Sequence, residues 1–373
     1  MKRIGCLTFH AAYNFGSALQ TYALKRYVET HFDDVDYHVI NFRIPFQQKL
    51  YKSIFEKHDL KSLYCRLFSL RYKKQLKAKN TLFENFISKN FKVTKPINTF
   101  DQANYVAACY NTLICGSDQI WNIRVEDFSW VYFADFPTKM KRISYACSAG
   151  TRKIEPSEEE TQKMKKALSS FSYISTRDNN TYEMIKNLGY ESTICVDPTL
   201  LLDKKDWEGL VVQADSEKLP KTPYIFYYDL KRDKANWAMA KSISKMLKMP
   251  VVIATLPFPR VIHKSSFAVK RYDSGPNEFL MFIKNASLVL TTSFHGTLFS
   301  CIFEKPFFVL NSNQDKRIGD FLSKVGLTKR MVTSDDYRPM AEKYNEIEFT
   351  DFTTKLNQLK KTSVDYLAKA LSD

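Results

Sequence analysis

Short apolar runs alternate with amphipathic stretches along most of the chain, and that alternation predicts an α/β protein. Residues 2–9 run into apolar positions as a buried strand would. Residues 18–29 then place Leu19, Tyr22, Ala23, Leu24 and Tyr27 on or near one helical face. Further strands are expected at 37–41, 111–115, 142–147, 173–176 and 192–196. Helices are expected near 79–89, at 158–169 behind an N-cap at Ser157, and at 180–188. The pattern then restarts, with strands at 224–228 and 251–256, helices at 234–247 and 277–286, and a long closing helix at 352–371. Two βα series of similar size predict two Rossmann-like domains facing across a cleft, 1–203 and 204–373.

Residues 287–310 carry the clearest unit of this kind. A buried strand at 288–290 meets the polar corner Thr291-Thr292-Ser293. Phe294-His295-Gly296-Thr297 then opens a helix in which Leu298, Cys301 and Ile302 recur at helical spacing. Lys305-Pro306 stops the helix before a second strand at 307–310. Ligands of open α/β sheets bind at the carboxyl ends of strands, and the free N–H groups of a helix start favour an anion. Gly296 would let a ligand approach the backbone there. The plainer alternative, a Ser293 cap beside a partly buried His295, stays open.

Two other strand ends gather chemistry. Gly116-Ser117-Asp118-Gln119-Ile120-Trp121-Asn122 sets a hydroxyl, a carboxylate and two amides beside an indole. That reads either as a sugar-contacting edge or as a helix cap with Trp121 in the core. Arg177 stands where a strand turns into a helix, as an ion pair with its neighbour or as a bidentate clamp on a carboxylate or phosphate.

Composition narrows the setting. The 373 residues are 44% hydrophobic and 14% aromatic, enough for a sizeable core and against disorder. No signal peptide and no apolar run of transmembrane length is visible, so a cytoplasmic protein is expected. Seven scattered cysteines without a CxxC pair predict buried thiols, with no disulfide framework and no metal site. The net charge of +16 is uneven: eleven Lys/Arg stand against two acidic residues in the helical insert 41–80, interleaved with aromatic residues and leucines. Such an insert fits peripheral contact with an anionic membrane surface, or a solvated hairpin packed on the body. Nucleic acid is not an expected partner, because no nucleic-acid-binding motif accompanies the charge.

Taken together, Asn14-Phe15-Gly16-Ser17-Ala18-Leu19-Gln20, Gly116–Asn122, Ser175-Thr176-Arg177-Asp178, Val196-Asp197-Pro198-Thr199 and Thr292–Thr297 resemble the polysaccharide pyruvyl transferase family, spread over most of the chain. The resemblance implies a GT-B-like fold. It also implies transfer of the pyruvyl unit of phosphoenolpyruvate to two hydroxyls of a sugar in a polysaccharide or its lipid-linked precursor; the basic insert, if it meets the membrane, would put the protein at the inner face of the cell membrane. The products are a pyruvate ketal and phosphate, and neither a metal nor an organic cofactor is implied. His295 takes the catalytic position. Arg177, Ser293, Gly296, Thr297, Lys316 and Arg317 fall on the donor side, in part by the resemblance and in part by the helix start. Asn14, Gly16, Ser117, Asp118, Trp121 and Asn122 fall on the acceptor side, in the first domain. Where family members carry an arginine two residues before the histidine, this chain has Ser293, so either Lys316 or Arg317 supplies the charge or the donor differs. A GT-B glycosyltransferase using a nucleotide sugar, and a non-catalytic scaffold of polysaccharide assembly at the membrane, are the competing readings.

Overall fold

The structure is a computed structural model that describes residues 1–44, 70–231, 233–255, 267–310 and 315–372. The described residues form two compact units: 1–44, 85–202 and 357–372 make the first, and 70–84 and 203–356 the second.

The first unit opens with β1 (Lys2–Leu7), α1 (Phe15–His31) and β2 (Val35–Val39). The chain passes through α2 (Lys73–Asn90), whose last residues belong here, and α3 (Phe100–Ala107). It continues with β3 (Thr112–Cys115), β4 (Lys141–Ser144), α4 (Glu158–Leu168), β5 (Ser175–Thr176), α5 (Asn179–Asn187) and β6 (Thr193–Ile194). The sheet order is β2-β1-β3-β4, all parallel. Parallel bridges at Ile143–Tyr173 and Cys147–Thr176 continue it to the β5–β6 pair, and a bridge from Val39 to Val93 adds a position beyond β2. β1 and β3 therefore flank the point where the winding reverses.

The second unit runs α6 (Lys204–Val211), β7 (Ile225–Tyr228), α7 (Lys234–Leu247), β8 (Val251–Ile253), β9 (Ala268–Lys270), α8 (Pro276–Asn285) and β10 (Leu288–Thr291). It ends with α9 (Phe294–Ile302), β11 (Phe307–Leu310), α10 (Lys316–Lys324), β12 (Met331–Val332), α11 (Tyr337–Glu342) and the start of α12 (Thr350–Ser372). Its six strands lie in the order β12-β11-β10-β7-β8-β9, all parallel. This is the doubly wound order of a dinucleotide-binding sheet, with the reversal between β7 and β10. Every side chain of β7, β10 and β11 is buried, as expected of strands covered by helices on both faces.

The chain crosses between the units near Leu202, and two further segments join the unit opposite to that of their neighbours in sequence. The end of α12 belongs to the first unit: Tyr366 donates to the Ser144 carbonyl at 2.6 Å, and Val196 N–H donates to Ser363 Oγ at 2.8 Å. Of the basic insert 41–80, residues 45–69 lie outside the described residues. Residues 70–84 join the second unit, where Tyr72 meets Tyr272 edge-on at 4.9 Å. Among the described residues, no helix is long and apolar enough to cross a membrane.

Five of the six described cysteines are buried, and burial pushes the Cys6 and Cys195 thiols up to about 12. Cys109, at the end of α3, is exposed, contrary to the expectation of buried thiols. It lies in the turn after the helix, with its Sγ toward the Tyr105 carbonyl rather than the sheet.

Candidate active site

Both groups of candidate residues stand at the carboxyl edge of their own sheet, at the reversal point. In the second unit, β10 ends at Thr291 and Ser293 caps α9, its Oγ accepting the Gly296 N–H at 3.3 Å. His295 follows in the first turn and is 8% exposed. Phe294 sits between two candidate groups: its ring meets the His295 ring edge-on at 5.7 Å, and the Arg317 guanidinium lies 5.5 Å from its centroid. Arg317 is aimed by Asp315, whose carboxylate accepts its Nε at 3.1 Å and Nη2 at 2.9 Å while capping α10. Lys316, beside it on the first turn of α10, is exposed.

Thr297 and Gly296 turn inward. The Thr297 hydroxyl is buried and donates to the Ser293 carbonyl at 3.0 Å. A Cβ on Gly296 would collide with Thr291 Oγ1 and stand 3.1 Å from Tyr228 Cδ1. The missing side chain is thus required for the close approach of α9 to β10 and β7, a correction to the expectation that it leaves room for a ligand.

One residue here was not singled out from the sequence. Asp229, buried just after β7, accepts the Thr292 hydroxyl at 2.8 Å and the Tyr227 hydroxyl at 2.8 Å, and also the N–H groups of Lys231 and Asp233. It ties the two strand ends of the reversal together beneath the His295 turn. The strand-end rule, applied to residues 224–228 as it was to 288–290, would have found it.

In the first unit, Asn14 caps α1, its Oδ1 accepting the N–H groups of Gly16 at 2.9 Å and Ser17 at 3.4 Å. Ser17 donates its hydroxyl to Asp118 Oδ2 at 2.6 Å, and Thr8 donates to the Ser117 carbonyl at 2.9 Å. These bonds join the ends of β1 and β3 across the reversal. Asp118 holds a left-handed backbone, φ +80°, which is uncommon for a residue with a side chain. No helix follows it, so it does not act as a helix cap. Asn122 is half-buried, its amide beside that of Gln119 over Gly150, where a Cβ would lie 2.6 Å from Asn122 Nδ2.

Arg177 enters this cluster from the end of β5. Its side chain is 1% exposed and that of Asp197 0%; Nη1 donates to Asp197 Oδ2 at 2.7 Å, and Nη2 lies 3.8 Å from Asp118 Oδ1. The ion-pair alternative is therefore realised, with a different partner from the expected one: the neighbouring Asp178 instead caps α5 and accepts the Ser148 hydroxyl at 2.6 Å.

Trp121 does not join the group. Its indole is fully buried, stacks on Phe133 at 5.4 Å and donates its N–H to the Tyr132 carbonyl at 3.1 Å. Such a ring is core and has no face to offer a sugar. Among the described residues, no cluster of three or more His, Cys, Asp or Glu is placed to hold a metal ion.

The sequence model of the polysaccharide pyruvyl transferase family matches residues 14–314, which spans both groups of site residues. No curated protein matches the chain. Solved structures similar in fold include the UDP-GlcNAc 2-epimerase of Neisseria meningitidis bound to UDP-GlcNAc, at 10% identity, TM-score 0.58 and 100% coverage of both chains. The UDP-GlcNAc 2-epimerase of Methanocaldococcus jannaschii is similar at 13% identity and TM-score 0.56, covering 94% of this chain and 93% of its own. At such identities the likeness speaks for the fold alone, a GT-B-type pair of Rossmann-like units.

Proposed function

The chain belongs to the polysaccharide pyruvyl transferase family, and on that premise we propose that it moves the pyruvyl unit of phosphoenolpyruvate onto two hydroxyls of a sugar. The observation that carries the reading is the placement of His295. It lies in the first turn of α9, at the reversal point of a doubly wound sheet, with a guanidinium across the same aromatic ring.

Phosphoenolpyruvate carries a carboxylate and a phosphate on three carbons, so its site needs fixed cations and helix N–H donors. Lys316, Arg317 and the starts of α9 and α10 supply them, and Ser293, already spent on capping, adds no charge. Protonation of C3 makes C2 oxocarbenium-like. One sugar hydroxyl adds to C2 and loses its proton. A second hydroxyl then displaces the phosphate and loses its own, leaving the ketal and inorganic phosphate. An imidazole can give the first proton and take a later one, a role worth about 10²–10⁴-fold in rate. The acceptor would meet Ser117, Asp118 and Asn122 of the first unit, and a lipid-linked sugar would bring the protein to the inner face of the membrane.

Incubating the protein with phosphoenolpyruvate and cell-extracted glycans should release phosphate and add a pyruvyl mass to the glycan. No release from phosphoenolpyruvate with any glycan fraction would end this reading.

A further inference from the structure

Asp229 carries a buried carboxylate, 4% exposed, that the proposed reaction leaves without a part. Both of its oxygens are engaged. Oδ1 accepts the Thr292 hydroxyl at 2.8 Å and the Lys231 N–H at 2.9 Å. Oδ2 accepts the Tyr227 hydroxyl at 2.8 Å and the Asp233 N–H at 3.1 Å, with Asn236 Nδ2 at 3.5 Å. Each oxygen thus faces a backbone N–H that cannot turn away. An amide in place of the carboxylate would set its NH2 against one or the other, so only a group that accepts at both ends fits.

The carboxylate braces the exit of β10. The Thr292 hydroxyl also accepts the Leu230 N–H at 3.1 Å, and the Thr292 N–H donates to the Tyr228 carbonyl at 3.2 Å. One residue earlier, Thr291 donates its hydroxyl to the same carbonyl at 2.9 Å and accepts the Ser293 N–H at 3.0 Å. Ser293 then caps α9, and His295 stands in the first turn. A run of bonds leads in this way from Asp229 through Thr292 and the cap to the imidazole. The other oxygen leads away from it: the Tyr227 ring meets the Trp237 ring of α7 at 5.4 Å, inside the core of the second unit.

We propose that Asp229 is a positioning residue, which acts through Thr292 to fix how the first turn of α9 presents His295 to the reacting atoms, and which touches neither substrate. This rests on the reading of the reaction given above. A displacement of about 1 Å at a reacting group can cost about 10²-fold in rate. Lys316 and Arg317 stand on α10, outside this run of bonds, so the brace bears on turnover more than on binding of the donor.

The two oxygens supply both the test and its control. Thr292→Val removes the hydroxyl on the α9 side and Tyr227→Phe the one on the core side, each taking a hydrogen bond from the same carboxylate. Phosphate release from phosphoenolpyruvate with a fixed cell-extracted glycan fraction gives kcat, at a temperature below the melting point of every variant, and calorimetry gives phosphoenolpyruvate affinity. Thr292→Val should lower kcat about tenfold or more and keep phosphoenolpyruvate affinity within about threefold of wild type. Thr292→Ser, which keeps the hydroxyl, should recover most of kcat. Tyr227→Phe should melt at a lower temperature yet keep kcat within about twofold. A fall in kcat as large in Tyr227→Phe as in Thr292→Val would mean that the carboxylate only stabilises the fold, and would overturn the proposal. So would an unchanged kcat in Thr292→Val, or no recovery in Thr292→Ser, and each of these leaves the reaction standing. If wild type releases no phosphate from phosphoenolpyruvate, the reading of the reaction falls and takes this assignment with it.

Discussion

His295 and Gly296 are adjacent, yet they fail differently when replaced. If the proposed reaction holds, His295→Ala should lower phosphate release by about 10²–10⁴-fold while phosphoenolpyruvate still raises the melting temperature, because the change removes the proposed proton carrier and leaves the cations in place. Gly296→Ala should instead cost about 1–3 kcal/mol of stability, read from chemical denaturation, since its methyl group would meet Thr291 Oγ1. Adding Thr291→Ala should recover part of that loss, because two residues in contact do not behave additively. The placement of the histidine, in the first turn of a helix after a buried strand, was legible from the apolar run before it. The purpose of the glycine was not: the sequence offers a bare backbone atom, and only packing says whether a ligand or Tyr228 fills the space. Trp121 misled for a related reason. Polar neighbours along the chain suggested a wet edge, while the ring itself turns onto Phe133.

Elements were legible where period and cap agree. α4 starts where Ser157 predicts, and the box is complete: Ser157 Oγ accepts the Glu160 N–H and the Glu160 carboxylate accepts the Ser157 N–H. Arg124 pairs with the same carboxylate through two nitrogens and, with the cap N–H, holds it down at about 2. The folded value lies below the unfolded one, so this stabilisation is complete above the ordinary glutamate range and lost as pH falls toward about 2. Glu160→Gln should therefore lower the melting temperature slightly at pH 7, and the gap from wild type should close by pH 2, near the folded value of about 2. The short elements escaped: α3, with its own capping box of Thr99 and Gln102, and the strands β9 and β12, of three and two residues. So few positions carry no readable period, and neighbouring strands decide their conformation.

On the scale of the molecule, two βα series were readable as two units, but the return of α12 was not, because sequence distance hides it. Ser144 and Tyr366 lie 222 positions apart and share a hydrogen bond. Tyr366→Phe should destabilise the first unit by about 1 kcal/mol, leaving the Ser144 carbonyl without that donor. Deleting residues 357–373 should lower the first melting step and leave phosphoenolpyruvate able to protect the other.

The buried sulfurs make such steps countable. Cys301 lies within α9, on the helix that carries His295, and is the one described cysteine of the second unit. Cys6, Cys115, Cys147 and Cys195 lie in the first, while Cys109 is exposed and would react at once. A pulse of alkylating reagent followed by peptide mass spectrometry would thus time the opening of each half on its own clock. A ligand that slows labelling of Cys301 alone announces which half it grips.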